Sequence, residues 1–193
     1  MASDTRDRLI RSTSRLLRTQ GYAATGLNQV MAEADAPKGS MYFHFPDGKV
    51  QLAAAALDLF AERASRRMQR YLDEHDTVGE AVTAIFDSYV EHLEATDFAE
   101  GCAVATVALD AAAAHETLAD ATSRALHMWT DDLAAALEAE GRSPAEAHGL
   151  ATLVIATIEG TIVMAKGERS TEPIATTRDL LRTILRPAAV PAP

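Results

Sequence analysis

Apolar positions recur at helical spacing along nearly the whole chain, and no stretch keeps the two-residue alternation of a strand. Leu9, Ile10, Leu16 and Leu17 mark one face of a first helix, with arginines opposite. Ser3 or Asp4 suits its N-cap, and Gly21 suits its C-terminal stop, with Tyr22 packing behind it. Thr25 is the N-cap candidate of a short second helix whose inner face holds Leu27, Val30, Met31 and Ala34. Asp35-Ala36-Pro37 breaks that helix, and Pro37 can open a third over 38–44. The run Phe45-Pro46-Asp47-Gly48 ends it, and Asp47 suits the cap of a fourth helix over 48–75, roughly 40 Å long at about 1.5 Å per residue. Further helices are expected over 78–95, 101–113, 115–140, 144–166 and 176–185. Gly141 separates two of them, and Ser143-Pro144 opens the next. The Pro/Ala-rich tail 187–193 reads as loose. The expected fold is all-α: a three-helix helix-turn-helix head over 1–50 and a helical body over 51–186.

Composition agrees with that pattern. Aromatic residues make up only 5% of the chain and apolar residues 48%, enough for a core without the β-rich content of a sandwich. A single cysteine, Cys102, excludes an internal disulfide framework and a cysteine-based zinc site. The N-terminus lacks the apolar segment of a signal peptide, and the greasy stretch 150–158 is too short to span a bilayer. A cytoplasmic protein with no membrane partner is expected. The net charge of −10 argues against nucleic acid until it is divided. Residues 1–50 carry seven bases and five acids, whereas 51–193 carry 11 bases and 23 acids. A slightly positive head on an acidic body suits local contact with phosphate.

Three short helices with a tight turn between the second and third make a helix-turn-helix outline. The third is chemically odd for a core helix. Lys38 and Tyr42 lie four apart on one face, and Gly39 between them allows close approach. Both side chains reach phosphate, and Lys also reaches guanine acceptors. Thr25 and Lys49 sit at helix starts, where free N–H groups favour an anion. Phe43 and Phe45 read as the aromatic core of the head. Enzyme signatures fail. His115-Glu116 would need its second His at Ala119, Cys102 has no evident base nearby, and no Gly-rich phosphate loop occurs. No catalytic residue, metal or cofactor is expected.

The run from Thr25 to Lys49, TGLNQVMAEADAPKGSMYFHFPDGK, resembles the DNA-binding signature of TetR-family transcriptional regulators. Its APKGS and YFHFP segments are similar to the LmrA/YxaF-like branch, as are Gly101-Cys102-Ala103-Val104-Ala105 and Ile158-Glu159-Gly160-Thr161. Two positions depart from the pattern. Asp35 stands where the family often has Gly, and Asp tolerates the left-handed conformation. Ala103 stands where the branch often has Pro. The resemblance implies a homodimer that represses transcription until a small molecule binds. It implies DNA contacts at Thr25, Lys38, Ser40, Tyr42, His44 and Lys49, a ligand cavity among the middle helices, and a dimer built by the last two long helices.

The body adds its own expectations. Phe86, Tyr89, Cys102, Met128 and Trp129 are candidates to line a site for a mainly apolar or aromatic effector; Tyr89 and Trp129 join a flat apolar face to one polar atom. Leu150, Leu153, Val154, Ile155, Ile158, Ile162 and Val163 cover more than one face of their helix, and Leu180, Leu181, Ile184 and Leu185 follow on the last. Such surplus calls for a second copy, with Ala147, Ala151 and Gly160 allowing close approach. Glu159 interrupts this apolar surface; a pocket polar group, an interface partner and an exposed edge residue all fit the pattern.

Overall fold

The structure is a computed structural model and describes residues 2–37 and 39–186, with side chains from residue 4 onward. Nine α-helices and one turn of 3₁₀ helix account for the described secondary structure, with no strand among those residues. The chain groups into two compact units. The first comprises residues up to Arg63 together with Gly101–Leu126, and the second comprises Ala64–Glu100 with the described residues from His127 on.

The first unit holds α1 (Ala2–Ala24), α2 (Leu27–Glu33), α3 (Ser40–His44), α6 (Ala103–Asp110) and the early turns of α4 (Lys49–Glu74) and α7 (Glu116–Ala139). By packing it therefore reaches beyond residue 50 and takes in a helix about fifty residues further along the chain. Leu9, Leu17, Met41, Phe45, Leu52 and Leu57 are fully buried in it. Gly21, at φ 75° and ψ −177°, interrupts α1 where a stop was expected. Asp35 takes the left-handed conformation at φ 47°, so the turn closes without a glycine there.

Two local expectations differ from the structure. Thr25 does not cap α2: Gly26 occupies the cap position, and the Thr25 hydroxyl donates back to the Gly21 carbonyl. Phe43 is not core but 78% exposed, whereas Phe45 is buried as expected. At the start of α4 the Gln51 side chain reaches back to accept the Asp47 N–H, at 3.1 Å. The cap proposed for Ser3, the candidate contact Lys38 and the tail 187–193 lie outside the described side chains.

The second unit holds α5 (Val78–Ala95), α8 (Pro144–Glu168), α9 (Glu172–Ile184) and the later turns of α4 and α7. Here α9 packs against α5 and α8, and Phe86, Leu93, Leu133, Leu137 and Ile174 are fully buried. Gly141, at φ 93°, ends the preceding segment, and the Ser143 hydroxyl caps α8 through the Glu146 N–H. α9 begins at Glu172 rather than 176, because Pro173 fits the first turn of a helix, where its missing N–H costs nothing. α8 is 25 residues long and meets the length and composition of a membrane span, unlike the stretch 150–158 taken alone. Its inner side is occupied by α5 and α9.

Candidate nucleic-acid interface and effector cavity

α2 and α3 are seven and five residues long, too short to hold their own shape in water. Side chains from α1 hold them. Arg8 donates through Nε to the Ala34 carbonyl at 2.9 Å and through Nη2 to the Asp35 carbonyl at 3.2 Å, while Asp4 accepts from its Nη1 at 2.8 Å. The turn between α2 and α3 is thus bound to the first helix by one guanidinium, whose planar fork suits two acceptors. Arg15 pairs with Glu33 at the end of α2, and Gln20 joins Gln29 and the Ala24 carbonyl.

Held this way, α3 buries Met41 and turns Tyr42 and Phe43 outward, with exposures of 62% and 78%. His44 is half-buried, edge-on to Phe43 with ring centroids 5.0 Å apart. The Ser40 hydroxyl donates to the Pro37 carbonyl at 2.7 Å, which leaves its oxygen able to accept. Lys49 is half-buried: its ammonium lies 4.2 Å from the centre of the Tyr22 ring and 3.5 Å from the Ala23 carbonyl. Thr25 is only 2% exposed, so its hydroxyl is committed to the fold.

A second support comes from α6. Asp110 Oδ2 accepts the Tyr22 N–H at 2.8 Å and the Ala23 N–H at 3.2 Å. A Cβ on Gly21 would fall 2.6 Å from the same oxygen, so the carboxylate needs the glycine twice, for its φ and for its missing side chain. Burial pushes the Tyr22 hydroxyl pKa up, and the Asp110 charge adds to that rise. Burial pulls Lys49 below the usual lysine range, while Asp110 works the other way. Nothing in the local pattern of α2 or α3 points to Arg8 or Asp110, because each acts on a turn far away in sequence.

In the second unit, Tyr89 and Trp129 line a small apolar cavity of about 30 Å³ together with Met68, Ile85, Ile155 and Ile158. Arg67 and Glu159 supply its polar edge. Arg67 Nη2 donates to the Tyr89 hydroxyl at 3.3 Å, and its guanidinium lies 5.3 Å from that ring's centre. Glu159 thus falls at the cavity, one of the three places its sequence position left open. Phe86 is fully buried in the core, and Met128 is partly exposed; neither lines this space. Cys102 belongs to the first unit, buried at the start of α6.

Known families match this chain along most of its length. The profile of bacterial regulatory proteins of the tetR family matches residues 9–56, and that of the C-terminal domain of LmrA/YxaF-like transcriptional regulators matches 79–179. The HTH-type transcriptional regulator YxaF of Bacillus subtilis is 30% identical over 183 residues, covering 95% of this chain and 96% of YxaF. The chain belongs to the TetR family. LmrA of the same organism is 31% identical over 171 residues, covering 89% of this chain and 91% of LmrA. A TetR transcriptional regulator from Chloroflexus aurantiacus superposes with a TM-score of 0.79 at 27% identity, covering 94% of each chain. TetR-family proteins are transcriptional regulators that bind DNA, and they are generally not enzymes. The N-terminal profile spans Thr25, Lys38, Ser40, Tyr42, His44 and Lys49, as well as Arg8's neighbours on α1. Asp110 lies outside it, within the stretch matched by the C-terminal profile.

Proposed function

We propose that the protein is a ligand-responsive repressor that binds a palindromic operator as a homodimer in the cytoplasm and is released by a small, mainly apolar or aromatic effector. The observation that carries the DNA reading is the outward aromatic pair on α3. A five-residue helix held from α1 exposes Tyr42 and Phe43 at the place where a helix-turn-helix presents its recognition face. Tyr42 then contacts phosphate or a base edge, and Phe43 meets an apolar group such as a thymine methyl. Ser40 and His44 complete the face, and Lys38 is added as a DNA contact on its sequence position alone. Lys49 leaves the Tyr22 ring to meet phosphate, and Thr25 contributes through its position at the start of α2 rather than through its hydroxyl. The test is selection of duplexes from random DNA by the full-length protein, followed by titration of the selected site. A palindrome bound far more tightly than unrelated DNA supports the reading; a protein that selects no sequence refutes it.

The dimer reading is supported by α8. Gly149, Leu153, Ala156, Gly160, Val163 and Met164 are exposed and recur every three or four residues, forming one uncovered stripe. Leu180 and Ile184 extend it on α9. Of the small residues expected to admit a partner, Gly160 faces outward, whereas Ala147 and Ala151 are fully buried within the chain. Close approach of two copies therefore runs through Gly149, Ala156 and Gly160. The effector site centres on Tyr89 and Trp129, with Arg67 and Glu159 at the polar edge. A cavity of about 30 Å³ holds water-sized groups only, so the effector selects an opened state and stabilises it.

A further inference from the structure

The turn that follows Gly21 is a junction of three helices. Its Tyr22 and Ala23 N–H groups point at Asp110 from the end of α6. Its Tyr22 carbonyl accepts the Thr25 N–H and its Gly21 carbonyl accepts the Thr25 hydroxyl, which sets the start of α2. Its Tyr22 ring and Ala23 carbonyl hold the Lys49 ammonium at the start of α4. No side chain caps α2, so the direction in which it sets off depends on this turn. The other end of α6 is bound to the same first helix: the Gly101 N–H donates to the Arg18 carbonyl at 3.0 Å, and Arg18 Nε donates to the Gly101 carbonyl at 3.2 Å. With ties at both ends, α6 cannot shift along α1 without breaking one of them or carrying the turn with it. A carboxylate accepting two N–H groups makes a charge-assisted contact, about twice as strong as a neutral one.

We propose that Asp110 is a positioning residue for operator binding: its carboxylate fixes the turn between α1 and α2, and the head binds DNA tightly only with that turn in place. The proposal rests on the operator-binding reading above and adds to it a residue at least sixty positions beyond the helix-turn-helix. Any state of the protein that withdraws Asp110 unfastens the start of α2.

The experiment compares full-length wild type with Asp110→Ala, Asp110→Asn and Gly21→Ala on the operator selected by the wild type, at a temperature where circular dichroism shows each protein folded. Amide hydrogen exchange is followed in parallel without DNA. Asp110→Ala is expected to lose tenfold or more in operator affinity and to lose protection at Tyr22, Ala23 and the first turn of α2, while α5 and α9 keep theirs. Asp110→Asn, whose side-chain oxygen accepts the same N–H groups, is expected to stay within about threefold of wild type. Gly21→Ala, which drives a Cβ into the carboxylate, should weaken binding like Asp110→Ala, and it carries the test if Asp110→Ala does not fold. A merely structural Asp110 would lower the melting temperature and leave the affinity of the folded protein unchanged. Binding by folded Asp110→Ala within twofold of wild type overturns the proposal, as does an Asn variant as weak as the Ala variant. If the wild type selects no operator, the DNA reading falls; unchanged protection in the turn of Asp110→Ala then overturns the positioning role separately.

Discussion

The two units keep their shape by different means. In the first, the functional helices are seven and five residues long, and polar ties hold them: Arg8 on the Ala34 and Asp35 carbonyls, Asp110 on the Tyr22 and Ala23 N–H groups. In the second, helices of 13 to 25 residues bury continuous apolar faces, and Phe86, Leu133 and Leu137 are closed off from solvent. Apolar burial is strong but without direction, whereas a hydrogen bond fixes an angle and adds little net stability. The recognition surface is accordingly built where geometry matters more than stability. A single polar substitution there should change binding more than folding, and a single core substitution in the second unit should do the reverse.

The largest expected effect falls on the second unit. Phe86→Ala should destabilise the protein by about 3–5 kcal/mol, the cost of a large cavity in a packed core. Urea unfolding monitored by circular dichroism measures it, and a loss under 1 kcal/mol would show that this core is looser than its burial implies. Next comes the outer stripe of α8. In the proposed dimer, Gly160→Arg places a long cation where the two copies approach and should raise the dissociation constant at least a hundredfold, about 2.7 kcal/mol. Light scattering across a dilution series reads it, and an unchanged dimer mass would move the interface elsewhere.

In the first unit, Arg8→Ala leaves the carbonyls of Ala34 and Asp35 without their charged donor. We expect about tenfold weaker operator binding, near 1.4 kcal/mol, with a melting temperature lowered by only a few degrees. The contrast between units fails if the thermal loss matches that of Phe86→Ala. The smallest effect concerns Phe43. Replacing each operator thymine in turn by deoxyuridine removes one methyl, worth about 0.8 kcal/mol or roughly fourfold when buried. One such position should weaken the wild type and leave Phe43→Ala unaffected; equal losses in both proteins would take the thymine contact away from Phe43.

Much of this was open to a reading of the residues one after another. Helical period, the Gly21 and Gly141 stops, the Ser143-Pro144 opening and the left-handed Asp35 all depend on neighbours within a few positions, and each stands in the structure as expected. The helix-turn-helix outline and the family signature belong to the same class, since spacing along the chain carries them. Faces are a different matter. Phe43 looked like core because apolar aromatics usually are, and only the packing of Met41 and Phe45 inward turns it out to solvent. Ala147, Ala151 and Gly160 are equivalent as small residues on one helix, and the position of α5 and α9 decides that the first two face inward. Thr25 has the chemistry of a cap but spends its hydroxyl on Gly21, because the turn folds back. Asp110 meets a turn almost ninety residues earlier in the chain, a pairing that no periodicity encodes. The sequence by itself determined the helices, several of their ends and the family, because those depend on short-range sterics and spacing. The tertiary structure alone decided which side chains face out and which distant groups hold the recognition helix, because both depend on where the rest of the chain comes to lie.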